Sequence, residues 1–157
     1  MSTATILHPG LRDAPARGRR HRSTDHRPLR HVLIGHEVTH VSELSWKGKK
    51  DLRVLPDAKN AGFHALITRD RAQFSDPREC DAIKKSGLHH IRYAQRQEGM
   101  RGLALAIGAI IVAMPMVMQE LEAASGQRLV QIANIEPRRR FEITDPQRNP
   151  PSAYWPH

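Results

Sequence analysis

The chain has 157 residues, which is enough for one domain with a buried core and too few for two large domains. Its 25 Lys and Arg residues outnumber its 16 Asp and Glu residues, and the formal charge of +9 suits a polyanionic partner such as nucleic acid. The single cysteine, Cys80, excludes an internal disulfide and a cysteine-rich zinc site, and it fits a reducing cytoplasm.

The two ends of the chain are basic and differ in pattern from its centre. The stretch LRDAPARGRRHRS has no apolar periodicity, so we predict a basic, disordered N-terminal segment over residues 1–24. This N-terminus also lacks the apolar centre of a secretory signal, which favours a cytoplasmic protein. A folded domain is expected over residues 25–136, and residues 137–157 are expected to leave it as a basic, Pro-rich tail.

Helical and strand patterns alternate along the central region. DHRPLRHVLIG predicts a helix ending at Gly35, HEVTHV a strand, and DLRVLPDAKNAG a helix that is kinked or restarted at Pro56. FHALIT predicts a buried strand, and PRECDAIKKSG a helix with Asp76 as its cap and Gly87 after its last residue. LHHIRYA predicts a strand, residues 99–125 a long helix and RLVQIANIE a strand with RRFEIT as a candidate partner. This alternation predicts a three-layer α/β/α fold with a mostly parallel central sheet.

An uninterrupted apolar run covers Leu103 to Met118, which is sixteen residues. A membrane-spanning helix needs roughly 20 apolar residues, so the run falls just short. A helical pattern also continues beyond the run to Gly126. We therefore predict a long helix whose middle is buried on nearly all sides, and no membrane partner.

Acidic residues stand where a parallel sheet would gather them at one edge. Glu43 follows HEVTHV, Asp51 opens the next helix, Asp70 follows FHALIT, and Asp76 begins the helix after it. Carboxylates drawn together repel one another, and Mg²⁺ or Mn²⁺ relieves that repulsion and activates water for phosphodiester hydrolysis. Helix capping is the alternative explanation for Asp51 and Asp76, and solvation for Glu43. Asp70 has no obvious capping role.

The run GHEVTHVSELSWKGKKDLRVLPDAKNAGFHALITRDRAQF resembles the PIN-like domain family, in particular the small proteins grouped with VapC-type toxins of bacterial toxin–antitoxin pairs. DPRECDAIKKSGLHHIRYAQ and GLALAIGAIIVAMP also look like one subgroup of this family, so that the resemblance covers about residues 25–135. The motifs that match are the strand start Gly35 to Val38, the helix start Gly48 to Asp51, the helix end Ala58 to Gly62, and Thr68-x-Asp70.

The resemblance implies a magnesium-dependent ribonuclease site in which Asp51 and Asp70 bind the metal or metal-bound water. Family members open with an apolar strand that ends in a metal-binding Asp, and Asp25 is the nearest match here. No apolar strand directly precedes Asp25, so this strand either comes from TATILH far upstream or is missing. Ala72 stands where many relatives carry a second Asp, and Asp76 would substitute for it.

The predicted function is therefore a Mg²⁺- or Mn²⁺-dependent endoribonuclease of PIN-like type, the toxin of a toxin–antitoxin pair. Arg69 and Arg71 would hold the phosphate backbone. The predicted partners are RNA, a cognate antitoxin protein and a second copy of the chain. The alternative is a catalytically impaired PIN-like module that binds RNA or a partner protein without cleavage.

Overall fold

The computed structural model of the chain describes residues 4–9, 27–44, 46, 51–69, 72–133 and 141–156. These residues form an α/β domain in which helices cover a mixed six-stranded sheet. The strands are β1 (Ala4–Pro9), β2 (His36–His40), β3 (Ala65–Thr68), β4 (His89–Tyr93), β5 (Leu129–Ile132) and β6 (Phe141–Thr144). The helices are α1 (Arg27–Val32), α2 (Asp51–Asn60), α3 (Pro77–Ser86) and α4 (Gly99–Glu122), and short 3-10 turns cover Val41–Leu44 and Ala72–Ser75.

The strand order across the sheet is β2-β1-β3-β4-β5-β6. Strands β3, β4 and β5 are parallel, whereas β1 is antiparallel to both of its neighbours and β6 is antiparallel to β5. The predicted mostly parallel sheet is thus correct for the neighbouring strands β3, β4 and β5 and wrong for β1 and β6, which run in the opposite direction. Strand β2 points the same way as β3 but pairs with the antiparallel β1. Only residues 133–140 separate β5 from β6, and a parallel crossover needs about a dozen or more.

Strand β1 lies inside the segment 1–24 that the sequence predicts to be disordered, so that prediction is wrong for residues 4–9. Ile6 and Leu7 are 0% and 1% exposed, and they point to opposite faces of the sheet. Burial of these two side chains stabilises the strand although a basic stretch of sequence follows it. The TATILH stretch therefore supplies a strand, although it ends at Pro9 and not at an acidic residue.

Helices cover both faces of the sheet, and each face has its own apolar cluster. Helices α1 and α4 pack on the face that carries Leu7 and Ile91. Helices α2 and α3 pack on the opposite face, which carries Ile6 and Leu66. The arrangement is compatible with the predicted three-layer α/β/α architecture.

The C-terminal residues also belong to the domain, because β6 pairs with β5 and the segment after it packs on the α2/α3 face. Trp155 is buried there, with its ring centroid 6.2 Å from that of Phe74. Lys84 donates a hydrogen bond to the carbonyl of Pro156. The expectation that residues 137–157 leave the domain as a tail is wrong for residues 141–156.

The ends of α3 confirm its sequence prediction. The Asp76 carboxylate accepts a hydrogen bond from the backbone N–H of Arg78, Pro77 opens the helix, and Gly87 ends it with a left-handed φ of 65°. Helix α2 runs through Pro56 as one element, so of the two predicted outcomes, a kink or a restart at Pro56, the restart is wrong. The ring of Pro56 is exposed, and the neighbouring Val54 and Leu55 are buried.

Helix α4 buries one side and exposes the other. Its buried residues recur every three or four positions, from Gly102 through Ala113 to Leu121, against the sheet. Among the described residues α4 is the helix long and apolar enough to cross a membrane, with a mean hydropathy of 2.0 in its most apolar 18-residue window. Only 44% of that window is buried, so the expectation of burial on nearly all sides is wrong.

Gly102→Ala is expected to destabilise the domain. A Cβ at position 102 would lie 1.7 Å from the carbonyl oxygen of Gln97, and backbone atoms there must shift to make room. The clash is expected to cost about 1–3 kcal/mol, which outweighs the ~1 kcal/mol by which Ala is the better helix former. Urea unfolding measures the change. Gly126→Ala is the control, because its Cβ would approach nothing closer than 4.0 Å, and an equal midpoint for wild type and Gly102→Ala would contradict the prediction.

Candidate functional site

One edge of the sheet collects the ends of four strands. Because β3, β4 and β5 are parallel, their carboxyl ends lie on the same side of the sheet. Strand β2 ends there as well, since Thr5 of the antiparallel β1 pairs with both His40 and Ile67. We call this the carboxyl edge. It is the place where open α/β sheets bind ligands.

The helices α2 and α3 begin at this carboxyl edge. Residues 61–64 connect the end of α2 to the start of β3, and residues 87–88 connect the end of α3 to the start of β4. Each helix therefore runs back along the strand that follows it. The backbones of Asp51 and Asp76 are placed at the carboxyl edge, together with the turn that carries Glu43 after β2 and with Arg69 after β3.

Glu43 is partly buried and already has a cationic partner. Its carboxylate accepts a hydrogen bond of 2.7 Å from the Nη2 of Arg30, and its side chain is 22% exposed. The Nε of Arg30 also donates to the carbonyl of Val38, 2.7 Å away. Arg30 thus joins α1 to β2 and offsets the charge of Glu43 at the carboxyl edge.

Asp76 acts as the N-cap of α3 and also pairs with Arg78. Its Oδ1 accepts the backbone N–H of Arg78 at 2.9 Å, and its Oδ2 lies 3.1 Å from the Arg78 Nη2. The side-chain hydrogen bond from Arg78, followed by the backbone one, lowers the pKa of the Asp76 carboxyl. The capping explanation therefore describes what this carboxylate does in the structure.

Arg69 is the last described residue before the position of Asp70. Its Nη1 donates a hydrogen bond of 2.8 Å to the Oε1 of Gln95, which follows β4. The Arg69 side chain is exposed at the carboxyl edge. This contact joins the segments that follow two neighbouring strands and places a guanidinium there.

The remaining predicted site residues, Asp25, Asp70 and Arg71, lie outside the described residues, as does the side chain of Asp51. The structure therefore places the chain on either side of Asp70 and Arg71, at Arg69 and Ala72. Among the side chains that the structure describes, no group of three or more His, Cys, Asp or Glu residues is arranged to hold a metal ion.

A buried polar cluster that the sequence analysis did not find lies directly after this loop. His90 is 1% exposed, and its Nε2 is 3.0 Å from the Oε1 of Gln73, which is 2% exposed. Phe74 packs edge-on against the His90 ring at a centroid distance of 5.3 Å, and the Arg92 guanidinium lies 4.1 Å above the Phe74 ring. The cluster holds the turn that follows Asp70 against β4. In the sequence, this cluster is indicated by the i, i+2 spacing of His90 and Arg92, which places both side chains on one face of the predicted strand.

Burial keeps the histidines of β4 neutral. Desolvation, reinforced by the charge of Arg92, lowers the pKa of His90 to about 3. Desolvation and nearby basic groups, led by His64, lower the pKa of His89 to about 4. The neutral ring of His89 accepts the backbone N–H of Arg128 through Nδ1 at 3.1 Å, which links β4 to the start of β5.

Acid is expected to destabilise the domain through His90. The unfolded chain binds a proton at the ordinary histidine pKa of 6.5 and the native His90 only at about 3. Stability therefore falls as the pH drops below 6.5, by about 2 kcal/mol at pH 5 for this group. We expect His90→Gln to flatten the change in urea midpoint between pH 7 and pH 5. A variant with the same pH dependence as the wild type would contradict this role.

No family model, curated protein or solved structure matches this chain. The carboxyl edge, the basic composition and the fold are therefore the observations from which a function can be inferred. They define an α/β domain with acidic and basic residues at the carboxyl ends of its parallel strands.

Proposed function

We propose that the chain is a Mg²⁺- or Mn²⁺-dependent endoribonuclease with a PIN-like three-layer fold, acting in the cytoplasm as the toxin of a toxin–antitoxin pair. The observation that carries this proposal is that one helix begins, and a central strand ends, at the same edge of the sheet, and that an acid opens the helix and another follows the strand in the sequence. Helix α2 begins with Asp51 at the carboxyl edge, and β3 ends at the same edge two residues before Asp70.

In this proposal Asp51 and Asp70 bind the metal, with Asp25 as a third ligand. Glu43 and Asp76 are less suited to direct ligation, because Arg30 and Arg78 already neutralise them. They would act at most through metal-bound water. A divalent cation held by these acids would supply Lewis-acid activation of a water and stabilisation of the charge on the phosphate, and the acids would hold and orient that cation.

The RNA backbone would lie along the carboxyl edge. Arg69 is exposed there, Arg71 follows in the chain, and the Arg69–Gln95 hydrogen bond limits the directions in which the guanidinium can point. Contacts of this kind neutralise phosphates and carry no sequence information. Raising the salt concentration is therefore expected to weaken RNA binding steeply.

The second candidate function is a module that binds RNA without cleaving it. Two observations favour it. Ala72 stands where a second acid is expected after Asp70. Asp76, which would substitute for that acid, already forms an ion pair with Arg78. A domain with two metal-binding acids in place of three or four would hold Mg²⁺ weakly.

The experiment that tests the proposal is cleavage of a defined RNA by the full-length protein in Mg²⁺, in Mn²⁺ and in EDTA. We expect products with either metal, none in EDTA, and a large loss of rate for Asp70→Asn. Equal cleavage by wild type and Asp70→Asn would exclude the assigned site. Salt-sensitive RNA binding without any cleavage products would exclude the ribonuclease proposal and support the module that binds RNA without cleaving it.

A further inference from the structure

A cavity of about 390 Å³ lies between the sheet and the chain segment that follows β6. Strands β4, β5 and β6 form one side of it, and residues 149–151 form the other. Cavities that bind small molecules measure roughly 300–1,000 Å³, so this one has room for a nucleobase. Of the proposed metal-site acids, the two whose side chains are described, Glu43 and Asp76, do not line it.

Three polar side chains stand in a row on the strands of this cavity. Arg92 of β4 pairs in register with Gln131 of β5, and Gln131 pairs with Glu142 of β6. Because partners on adjacent strands point to the same face, the three side chains project together. Leu129, two residues before Gln131, places them on the α2/α3 face. Neighbouring strands lie about 4.8 Å apart, so the row spans roughly 10 Å between its outer backbones.

The two ends of the row carry opposite charges. The half-buried Arg92 packs its guanidinium over the Phe74 ring at 4.1 Å, which limits the directions in which it can donate. Glu142 is exposed, and among the described side chains none forms an ion pair with it. Between them, Gln131 donates through Nε2 to the carbonyl of Ile132 at 3.2 Å. A ligand in the cavity therefore meets donors at one end and a carboxylate at the other.

The outer wall of the cavity is held on both sides of its two prolines. Before them, the carbonyl of Asp145 accepts the backbone N–H of Asn149 at 2.9 Å. After them, Trp155 is 4% exposed and packs on the α2/α3 face. Pro150 and Pro151 also have restricted φ angles. The wall is thus in place before a ligand enters, which lowers the entropic cost of binding.

We propose that this cavity binds a guanine base. Guanine carries the acceptors O6 and N7 on one edge and the adjacent donors N1–H and N2–H on the next. The Arg92 guanidinium donates to O6 and N7, and the Glu142 carboxylate accepts from N1–H and N2–H. The ring contacts the apolar surfaces of the two prolines. Adenine, cytosine and uracil lack two adjacent ring-edge donors, so the carboxylate selects guanine among the four bases.

The base can arrive in a free guanine nucleotide or in RNA. Arg92 and Gln131 are each the next-to-last residue of their strands, so the cavity lies close to the carboxyl edge. A strand of RNA held there by Arg69 can insert a guanine, and this source rests on the proposed function. A free nucleotide as the source does not.

Isothermal titration of the full chain with mononucleotides in EDTA tests the cavity without any cleavage. We expect GMP to bind at least tenfold more tightly than AMP, CMP or UMP. IMP, which lacks the N2 amino group, is expected to bind about tenfold more weakly than GMP, because it loses one hydrogen bond to the Glu142 carboxylate. Equal affinity for all of these nucleotides would show contacts to phosphate alone and would overturn the proposal.

Glu142→Gln is the decisive variant, since it exchanges one carboxylate oxygen for an amide donor that opposes the donors of guanine. It should weaken GMP binding about tenfold or more and remove the preference for GMP over IMP. Glu120→Gln is the matched control, because Glu120 is exposed on α4 away from the cavity. Arg92→Lys keeps the charge and loses the bidentate geometry, so it should also weaken GMP binding. Circular dichroism and thermal melting confirm that each variant is folded.

Oligouridylates with one central guanosine or adenosine distinguish the two sources of the base. With the Asp70→Asn protein in EDTA, tighter binding of the guanosine strand assigns RNA, and GMP binding without that preference assigns a free nucleotide. A protein that neither binds GMP nor prefers the guanosine strand overturns the proposal. GMP binding by a wild type that cleaves no RNA would refute the ribonuclease and leave the guanine site standing.

Discussion

Leu7→Asp is expected to leave the domain unfolded at neutral pH. Leu7 is 1% exposed on the α1/α4 face of β1, between β2 and β3. Truncating a buried leucine costs about 2–5 kcal/mol, and a buried unpaired carboxylate adds several more. A domain of this size has about 5–15 kcal/mol of total stability, so the combined loss of free energy is as large as the stability itself. Far-UV circular dichroism and urea unfolding provide the measurement.

Ile34→Asp introduces the same carboxylate at a position that is 88% exposed, and it is expected to leave the unfolding midpoint within error of the wild type. Removing residues 1–10 should reproduce the effect of Leu7→Asp, because β1 then no longer separates β2 from β3. A Leu7→Asp protein with a cooperative transition near that of the wild type would show that β1 is dispensable.

Asp51→Asn and Asp70→Asn are expected to lower metal-dependent RNA cleavage by at least about 100-fold each. A bound divalent cation contributes several kcal/mol of charge stabilisation in the transition state, and each 1.36 kcal/mol corresponds to about tenfold in rate. If both acids hold one ion, the double variant should be little slower than either single variant. Single-turnover cleavage at saturating Mg²⁺ measures the three rates.

Asp81→Asn is the matched control for these variants, because Asp81 lies on the exposed side of α3 in an ion pair with Lys85. Such a pair contributes about 0.3–0.5 kcal/mol, and its loss should leave cleavage unchanged. Mn²⁺ should also raise the thermal midpoint of the wild type and not that of the double variant. If the loss of rate in the double variant equals the product of the losses in the two single variants, the two acids act independently and do not hold one ion.

The elements that the sequence predicts best are those whose signals are local. In α3 the cap Asp76, the first residue Pro77 and the terminal Gly87 stand within twelve residues, and the structure confirms all three. The parallel core β3-β4-β5 also follows from local patterns, because intervening helices imply crossover connections. The RRFEIT stretch was a candidate partner of the last predicted strand, and β6 pairs there.

Strand β1 could not be placed from the sequence in the same way. Its six residues stand far from the next predicted element, and their apolar character is clear only once Ile6 and Leu7 contact opposite helical layers. Its antiparallel insertion between β2 and β3 depends on pairing with Thr39 and Leu66, which are remote in the sequence. No local pattern encodes that choice.

The candidate site shows the same division between local and remote signals. The position of Asp51 and Arg69 at one edge follows from the alternation of strands and helices. The neutralisation of Glu43 does not, because Arg30 belongs to another helix and reaches Glu43 only when α1 packs beside β2. The burial of His90 under Phe74 likewise depends on how the turn after Asp70 folds back on β4.

The apolar cluster on the α2/α3 face has a consequence for the order of events during synthesis. It joins Ile6, near the start of the chain, to Trp155, which covers Phe74. Contacts between such distant residues close late in folding. A nascent chain that lacks Trp155 leaves Phe74 uncovered beside the loop that carries Asp70. The packing of the α2/α3 face is therefore expected to be completed only after residue 155 has left the ribosomal exit tunnel.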